Sequence, residues 1–158
     1  MARYHVDNRL AGAQQALTTT FKTQYAVTAV TATVRRGQIV ELSYGADGAP
    51  NATDCQIVYD VSAQTAAGTS TVATPTKHNP ADSASTSIVN VNFTAEGTIT
   101  AASTVFSRTL NQRASQQWYA NPGSELIWPA TNLAGLAARA LSPTYAANVL
   151  FTAEYDDL

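Results

Sequence analysis

Apolar and polar residues alternate along much of this chain with a period of two, the spacing of a strand that buries one of its faces. Cys55, Ile57, Tyr59 and Val61 stand opposite Gln56, Val58 and Asp60. Val40, Leu42 and Tyr44 alternate with Ile39, Glu41 and Ser43, and Val89, Val91 and Phe93 with Asn90 and Asn92. Ala147, Val149, Phe151, Ala153 and Tyr155 alternate in the same way with Asn148, Leu150, Thr152 and Glu154. Tyr4 and Val6 against His5 and Asp7 suggest a short first strand. Tyr25 to Val34, Gly68 to Thr74 and Thr98 to Thr109 have strand composition, the last anchored by Ile99, Val105 and Phe106. Leu10 to Thr20 is ambiguous. Leu10, Ala13 and Leu17 have helical spacing, and Gly12 with three consecutive threonines opposes it. Leu133, Leu136, Ala137 and Leu141 also fit a helical period, but Pro129 and Pro143 crowd the segment and a strand is expected.

Breaks between these runs are marked by turn formers. Gly45 to Asn51 reads as a loop, and Thr74 to Ser85, with two prolines, as the longest loop of the chain. Asn111 to Pro129 holds both tryptophans and reads as two extended pieces, around Gln117–Ala120 and Glu125–Trp128, hinged at Asn121-Pro122-Gly123. Roughly eight or more short strands with frequent turns predict an all-β antiparallel sandwich or barrel. No linker or long repeat divides the chain. Residues 1–24 are expected to form an N-terminal arm or first strand, and residues 25–158 the β-sandwich domain.

Composition narrows the function. The 158 residues are 45% hydrophobic and 13% charged, against about 25% charged in ordinary domains. Serine, threonine, asparagine and glutamine fill the difference, and a weakly charged surface favours association. A net charge of −2 with scattered basic residues gives no footprint for nucleic acid, and no apolar run is long enough to span a membrane. The first residues lack the apolar run of a secretory leader, which points to folding in cytoplasm. Cys55 is alone, so it builds no disulfide within the chain and is expected as a small buried hydrophobe.

Little in the pattern points to catalysis. His5 and His78 lie beside no nucleophile motif, and no Gly-x-Ser-x-Gly elbow occurs. Glu41, Asp60, Glu125 and Glu154 fall on strand-like segments, where paired carboxylates could serve glycoside hydrolysis, but solvated surface charge is the simpler expectation. Asp47, Asn51 and Asp54 surround one loop without the spacing of a calcium-binding loop. Asn51-Ala-Thr53 and Asn92-Phe-Thr94 match glycosylation acceptors, as chance allows in a threonine-rich chain. No cofactor is expected. Trp118, Tyr119 and Trp128 suit either a sugar-binding platform or packing in a core or subunit interface, and packing is expected.

Several segments taken together resemble a family. Arg36-Gly-Gln-Ile-Val-Glu-Leu-Ser-Tyr-Gly-Ala-Asp-Gly-Ala-Pro50 resembles its strand-and-turn entry. Thr65 to Thr76 followed by Asn79 to Ser85 resembles its long loop. Asn111-Gln-Arg-Ala114, Pro122-Gly-Ser-Glu-Leu126 and Pro129-Ala-Thr131 resemble its second half. The family is that of the capsid decoration (cement) proteins of tailed bacteriophages. Across residues 36 to 157 the resemblance implies a jelly-roll β-sandwich that forms a homotrimer on the outer capsid surface, binds the major capsid protein and assembles in the host cytoplasm. It implies a non-enzymatic virion protein, with Arg113, Trp118, Tyr119, Lys77 and His78 as candidate subunit or capsid contacts. The segment 1–20 and the loop 74–85 are expected to reach neighbours. A carbohydrate- or receptor-binding module, a β-sandwich hydrolase and a tail or fibre component are the rival readings.

Overall fold

In a computed structural model of the chain, residues 2–9, 14–30 and 34–158 are described. Twelve strands are present among them: β1 (Arg3–Asp7), β2 (Lys22–Ala29), β3 (Gly37–Asp47), β4 (Gln56–Ala66), β5 (Thr69–Ala73), β6 (Thr76–Lys77), β7 (Ser87–Ala95), β8 (Thr98–Asn111), β9 (Ser115–Tyr119), β10 (Leu126–Trp128), β11 (Gly135–Leu141) and β12 (Asn148–Asp157). All pairings are antiparallel. Sheet A runs β10-β3-β12-β1-β6, with β9 also pairing β3, and sheet B runs β5-β7-β2-β11-β4-β8. The two sheets pack face to face as a β-sandwich.

The pairings nest from the ends of the chain inward. β1 pairs β12, β2 pairs β11, β3 pairs β9 and β10, and β4 pairs β8. β5, β6 and β7 are added between β4 and β8 and extend one end of each sheet.

The inward rows of the two sheets make the core. Tyr4, Val6, Ile39, Leu42, Tyr44, Val149, Phe151 and Tyr155 of sheet A meet Tyr25, Val27, Ile57, Tyr59, Val61, Val89, Val91 and Leu136 of sheet B. Aromatic rings lock the layers together. Tyr25 and Tyr59 meet Phe151 edge-on at 5.5 and 5.6 Å, and Tyr44 meets Tyr59 at 4.9 Å. Such pairs add about 0.5–1.5 kcal/mol each beyond the area they bury.

Three expectations change here. Val89 and Val91 enter the core as their period demands, but Phe93 does not. Asn92 has φ 53, a left-handed residue that reverses the alternation, so Phe93 packs with Ala26 and Ala137 on the other face of sheet B. Cys55 is half-buried at the edge of the core, and its Sγ lies 3.3 Å from Gln112 Oε1. Described parts of the first 20 residues have core duties: β1 lies inside sheet A between β12 and β6, and Leu17 is buried. Leu17 N also donates to Ala147 O at 3.1 Å. Leu10 and Ala13 of the helical-spacing reading, and residues 31–33 of the expected strand from Tyr25, lie outside the described residues.

The two-tryptophan stretch forms two strands, yet not a hairpin. β9 and β10 follow one another along the same edge of β3, opposite Glu41–Gly45 and Gly37–Ile39. Gly123 supplies φ 87 in the turn between them, and its N donates to Glu125 Oε2 at 2.9 Å. Trp128 is fully buried against Tyr155 at 5.7 Å, while Trp118 is half-buried against Phe106 at 5.3 Å. Gly37 is required by Trp128, because a Cβ there would stand 1.9 Å from the indole Cζ2.

Candidate functional site: the bare face of sheet A

The outer faces of the two sheets differ. On the central strands of sheet B the outward residues Thr23, Ala26, Thr28, Asp60, Ser62, Gln64 and Ala137 are buried, whereas Val72 of β5 and Ser107 and Thr109 of β8 stay exposed. Ile99 packs over the Ala26–Phe93–Ala137 cluster, and Glu96, in the turn after β7, takes the N–H and hydroxyl of Thr23. The Phe21 ring lies 4.5 Å from the Arg139 guanidinium. Beneath it, Arg139 forms two 2.9 Å bonds to the Asp60 carboxylate, which Ser62 and Thr104 also hold. Asp60, read from sequence as solvated charge, is therefore a buried ion-pair partner.

The outer face of sheet A carries a layer of polar groups that no other strand covers. His5 Nδ1 donates to Glu154 Oε1 at 2.7 Å, His78 Nε2 abuts Glu154 Oε2, and His5 Nε2 is 3.8 Å from Asp7. Arg3 forks onto Asp156 at 3.0 and 3.2 Å, and Gln38 also reaches Asp156. Glu154 faces Glu41 across β12 and β3, and Glu41 accepts from Gln117 at 2.6 Å. The hydrogen bond to Glu154 comes first among the causes that raise His5 above its usual pKa, followed by opposing desolvation and then by the Glu154 and Asp7 charges, with Arg9 opposing.

Tyr119 stands on this face, 60% exposed, opposite Glu41. Desolvation and then the Glu41 charge hold its hydroxyl above the ordinary value. With Arg3, Gln38, Glu41, Pro122 and Glu125 it borders a shallow concavity of about 320 Å³. That volume is at the lower end of small-molecule sites.

The sequence-derived contact residues fall in four places. Tyr119 and His78 lie on the sheet A face, near opposite borders. Lys77 is in β6 beside β1, and its Nζ donates to Pro80 O and Asp82 O, closing its own loop. Arg113 sits at an end of the sandwich on Asp54 at 2.7 Å, so the carboxylate it holds is its own chain's. Trp118 turns inward to Phe106. Loop 74–85 is strapped down: Tyr4 donates to Ser83 O, Ser85 bonds Tyr155, and Asp157 accepts from Ser85, Thr86 and Ser87. Gln14 and Arg113 engage the Asp47 and Asp54 carboxylates, and Asn51 Nδ2 donates to Thr144 O at 3.0 Å. Among the described residues no group of three His, Cys, Asp or Glu is placed to hold a metal ion.

Sequence reasoning missed the His5–Glu154–His78 contact. Its members lie far apart in the chain, and the signal was limited to the outward parity of His5 and Glu154 on strands whose pairing could not be read, with His78 in a loop.

Fold and face define an all-β, two-sheet domain that covers the middle of one outer face with its own chain and leaves the other polar. No family model, no curated protein and no solved structure matches the chain.

Proposed function

We propose that this chain is a non-enzymatic virion structural protein, a decoration subunit that forms a homotrimer on the outer surface of a tailed-phage head and strengthens the shell. The nested pairings support a jelly-roll reading. Taking β9 and β10 as one edge strand and setting β5–β7 aside, the eight remaining strands lie as β1-β12-β3-β9/β10 and β2-β11-β4-β8. Capsid and lectin domains use this arrangement.

The observation that carries the proposal is the contrast between the two outer faces. The middle of the outer face of sheet B is covered by its own chain, and sheet A presents a hydrogen-bonded polar surface with Tyr119 exposed on it. A face of this kind suits docking on a repeating shell. Binding only to the assembled shell stabilises it by RT ln(1 + [L]/Kd), and threefold linkage raises effective affinity by about 10²–10⁴. Light scattering should give three chains, or a multiple of three where a further contact joins trimers, and the assembly should co-sediment with empty heads. A monomer that stays in the supernatant removes the proposal.

A second reading is favoured by the concavity beside Tyr119: a carbohydrate- or receptor-binding module. The aromatic that tests it is Tyr119, because Trp118 is turned inward. A glycan-array signal abolished by Tyr119→Ala in a folded protein would favour this reading over shell binding.

A further inference from the structure

We propose that the free side of β8 is a self-association edge, on which a second copy of this chain pairs antiparallel about a twofold axis at Thr109. This inference is independent of the function proposed above and uses a different surface.

β8 is the last strand of sheet B, and β4 is its one partner in that sheet. Natural edge strands are blunted by shortness, charge, proline or bulges. The other edges of this sandwich follow that rule: β6 has two residues, β10 three, and β5 and β9 five each. β8 has fourteen, with no proline and a single charged residue, Arg108. Its first half is broken by register shifts against β4, but Phe106 to Asn111 pair Val61 to Gln56 without interruption. Val105, Ser107, Arg108 and Thr109 are exposed there.

The ladder fixes which groups are free. Gln112 N donates to Cys55 O at 3.0 Å, so this opposed pair is hydrogen-bonded. Antiparallel pairs alternate, which turns the N–H and C=O of Leu110, Arg108 and Phe106 toward β4 and those of Ser107, Thr109 and Asn111 outward, where Asn111 O already accepts one bond from Ala114 N at 2.9 Å and Ser107 O one from Arg108 Nη1 at 2.8 Å, each keeping a second lone pair. A twofold partner must therefore centre on an outward residue. Centred on Ser107, the partner would run into the irregular pairing at Val105. Centred on Thr109, the register stays inside the regular stretch, with Thr109 opposite Thr109 and Ser107 opposite Asn111 on both sides of the axis. These pairs exchange about six backbone hydrogen bonds.

The side chains agree with that register. Threonine opposite threonine is a favourable cross-strand pair, and Ser107 opposite Asn111 is neutral and polar. On the inner side, Arg108 falls opposite Leu110, so its aliphatic stem packs on an apolar neighbour and the two arginines are offset rather than opposed. The product is one continuous antiparallel sheet of twelve strands, six from each copy.

Light scattering of the full chain and of Thr109→Pro and Thr109→Lys tests this. Proline removes an N–H that β4 does not use, so the fold should survive, and lysine blunts the same edge without touching the backbone. The expected wild-type mass is twice 16.7 kDa, or an even multiple of it where the threefold contact also forms, and each variant should halve it. A mass that is the same in wild type and in both variants overturns the inference. A trimer unchanged by both variants does so too while leaving the proposed function standing. If Thr109→Pro loses its circular dichroism signal, Thr109→Lys alone decides.

Discussion

Asp60→Ala should be among the most damaging single substitutions in this chain. The carboxylate is 3% exposed and takes both forks of Arg139, whose side chain is 14% exposed. Two hydroxyls, Ser62 at 2.8 Å and Thr104 at 3.1 Å, complete its shell. Removing it leaves the guanidinium without a counter-charge, although Ser62 Oγ still accepts from Arg139 Nη2 and bonds Thr104 Oγ1, each at 2.9 Å. Breaking one side of a buried pair costs about 3–5 kcal/mol. In a domain of this size about 4 kcal/mol lowers Tm by roughly 8–16 °C. Urea unfolding followed by circular dichroism measures the loss directly. Because the cost comes from the orphaned charge, Asp60→Ala with Arg139→Met should recover much of it, less the contact of Arg139 on Phe21. A loss below about 1 kcal/mol, the range of an exposed pair, would refute the claim that the middle of the outer face of sheet B is covered.

Other outcomes follow from the same structure. His5 has a folded pKa above its unfolded value, so its ionic bond to Glu154 contributes stability that is full below about pH 6.5 and is lost as pH rises through the folded value. Urea midpoints should therefore fall from pH 6 to pH 8.5, and Glu154→Gln should flatten that difference; an equal slope in wild type and variant would contradict it. Gly37→Ala should cost about 1–3 kcal/mol or more, because the new methyl overlaps Trp128, and should shift tryptophan fluorescence to the red. Deleting residues 1–20 should abolish cooperative unfolding, since β1 and Leu17 leave with it; a folded product would show that β12 does not need β1.

The strands were legible where one face carries an unbroken apolar row. β4 keeps that row from Ile57 to Val61 and β12 from Val149 to Tyr155, and Pro122-Gly123 marks its turn unaided. Residues 133–141 were legible as a strand through the flanking prolines, although their spacing also suits a helix. Phe93 was not legible, because a left-handed asparagine costs little and changes no composition, yet it moves the next ring to the other face. Asp60 was misread for a different reason. Its parity placed it correctly on the outer face, but the residues that bury that face, Ile99 and Phe21 with their neighbours, are distant in sequence. The same limit hid the contact of Glu154 with two histidines. Alternation reports a face and leaves open what covers it.

The claim that the sheet A face meets the shell is tested most directly by co-sedimentation of wild type, Tyr119→Lys and Thr109→Lys with empty heads. Tyr119→Lys puts a flexible cation on the exposed face, opposite Glu41, and leaves the core untouched, whereas Thr109→Lys alters sheet B. The account predicts head binding by wild type and Thr109→Lys and at least tenfold weaker binding by Tyr119→Lys, about 1.4 kcal/mol. Equal binding by all three, or no binding by wild type, would contradict it.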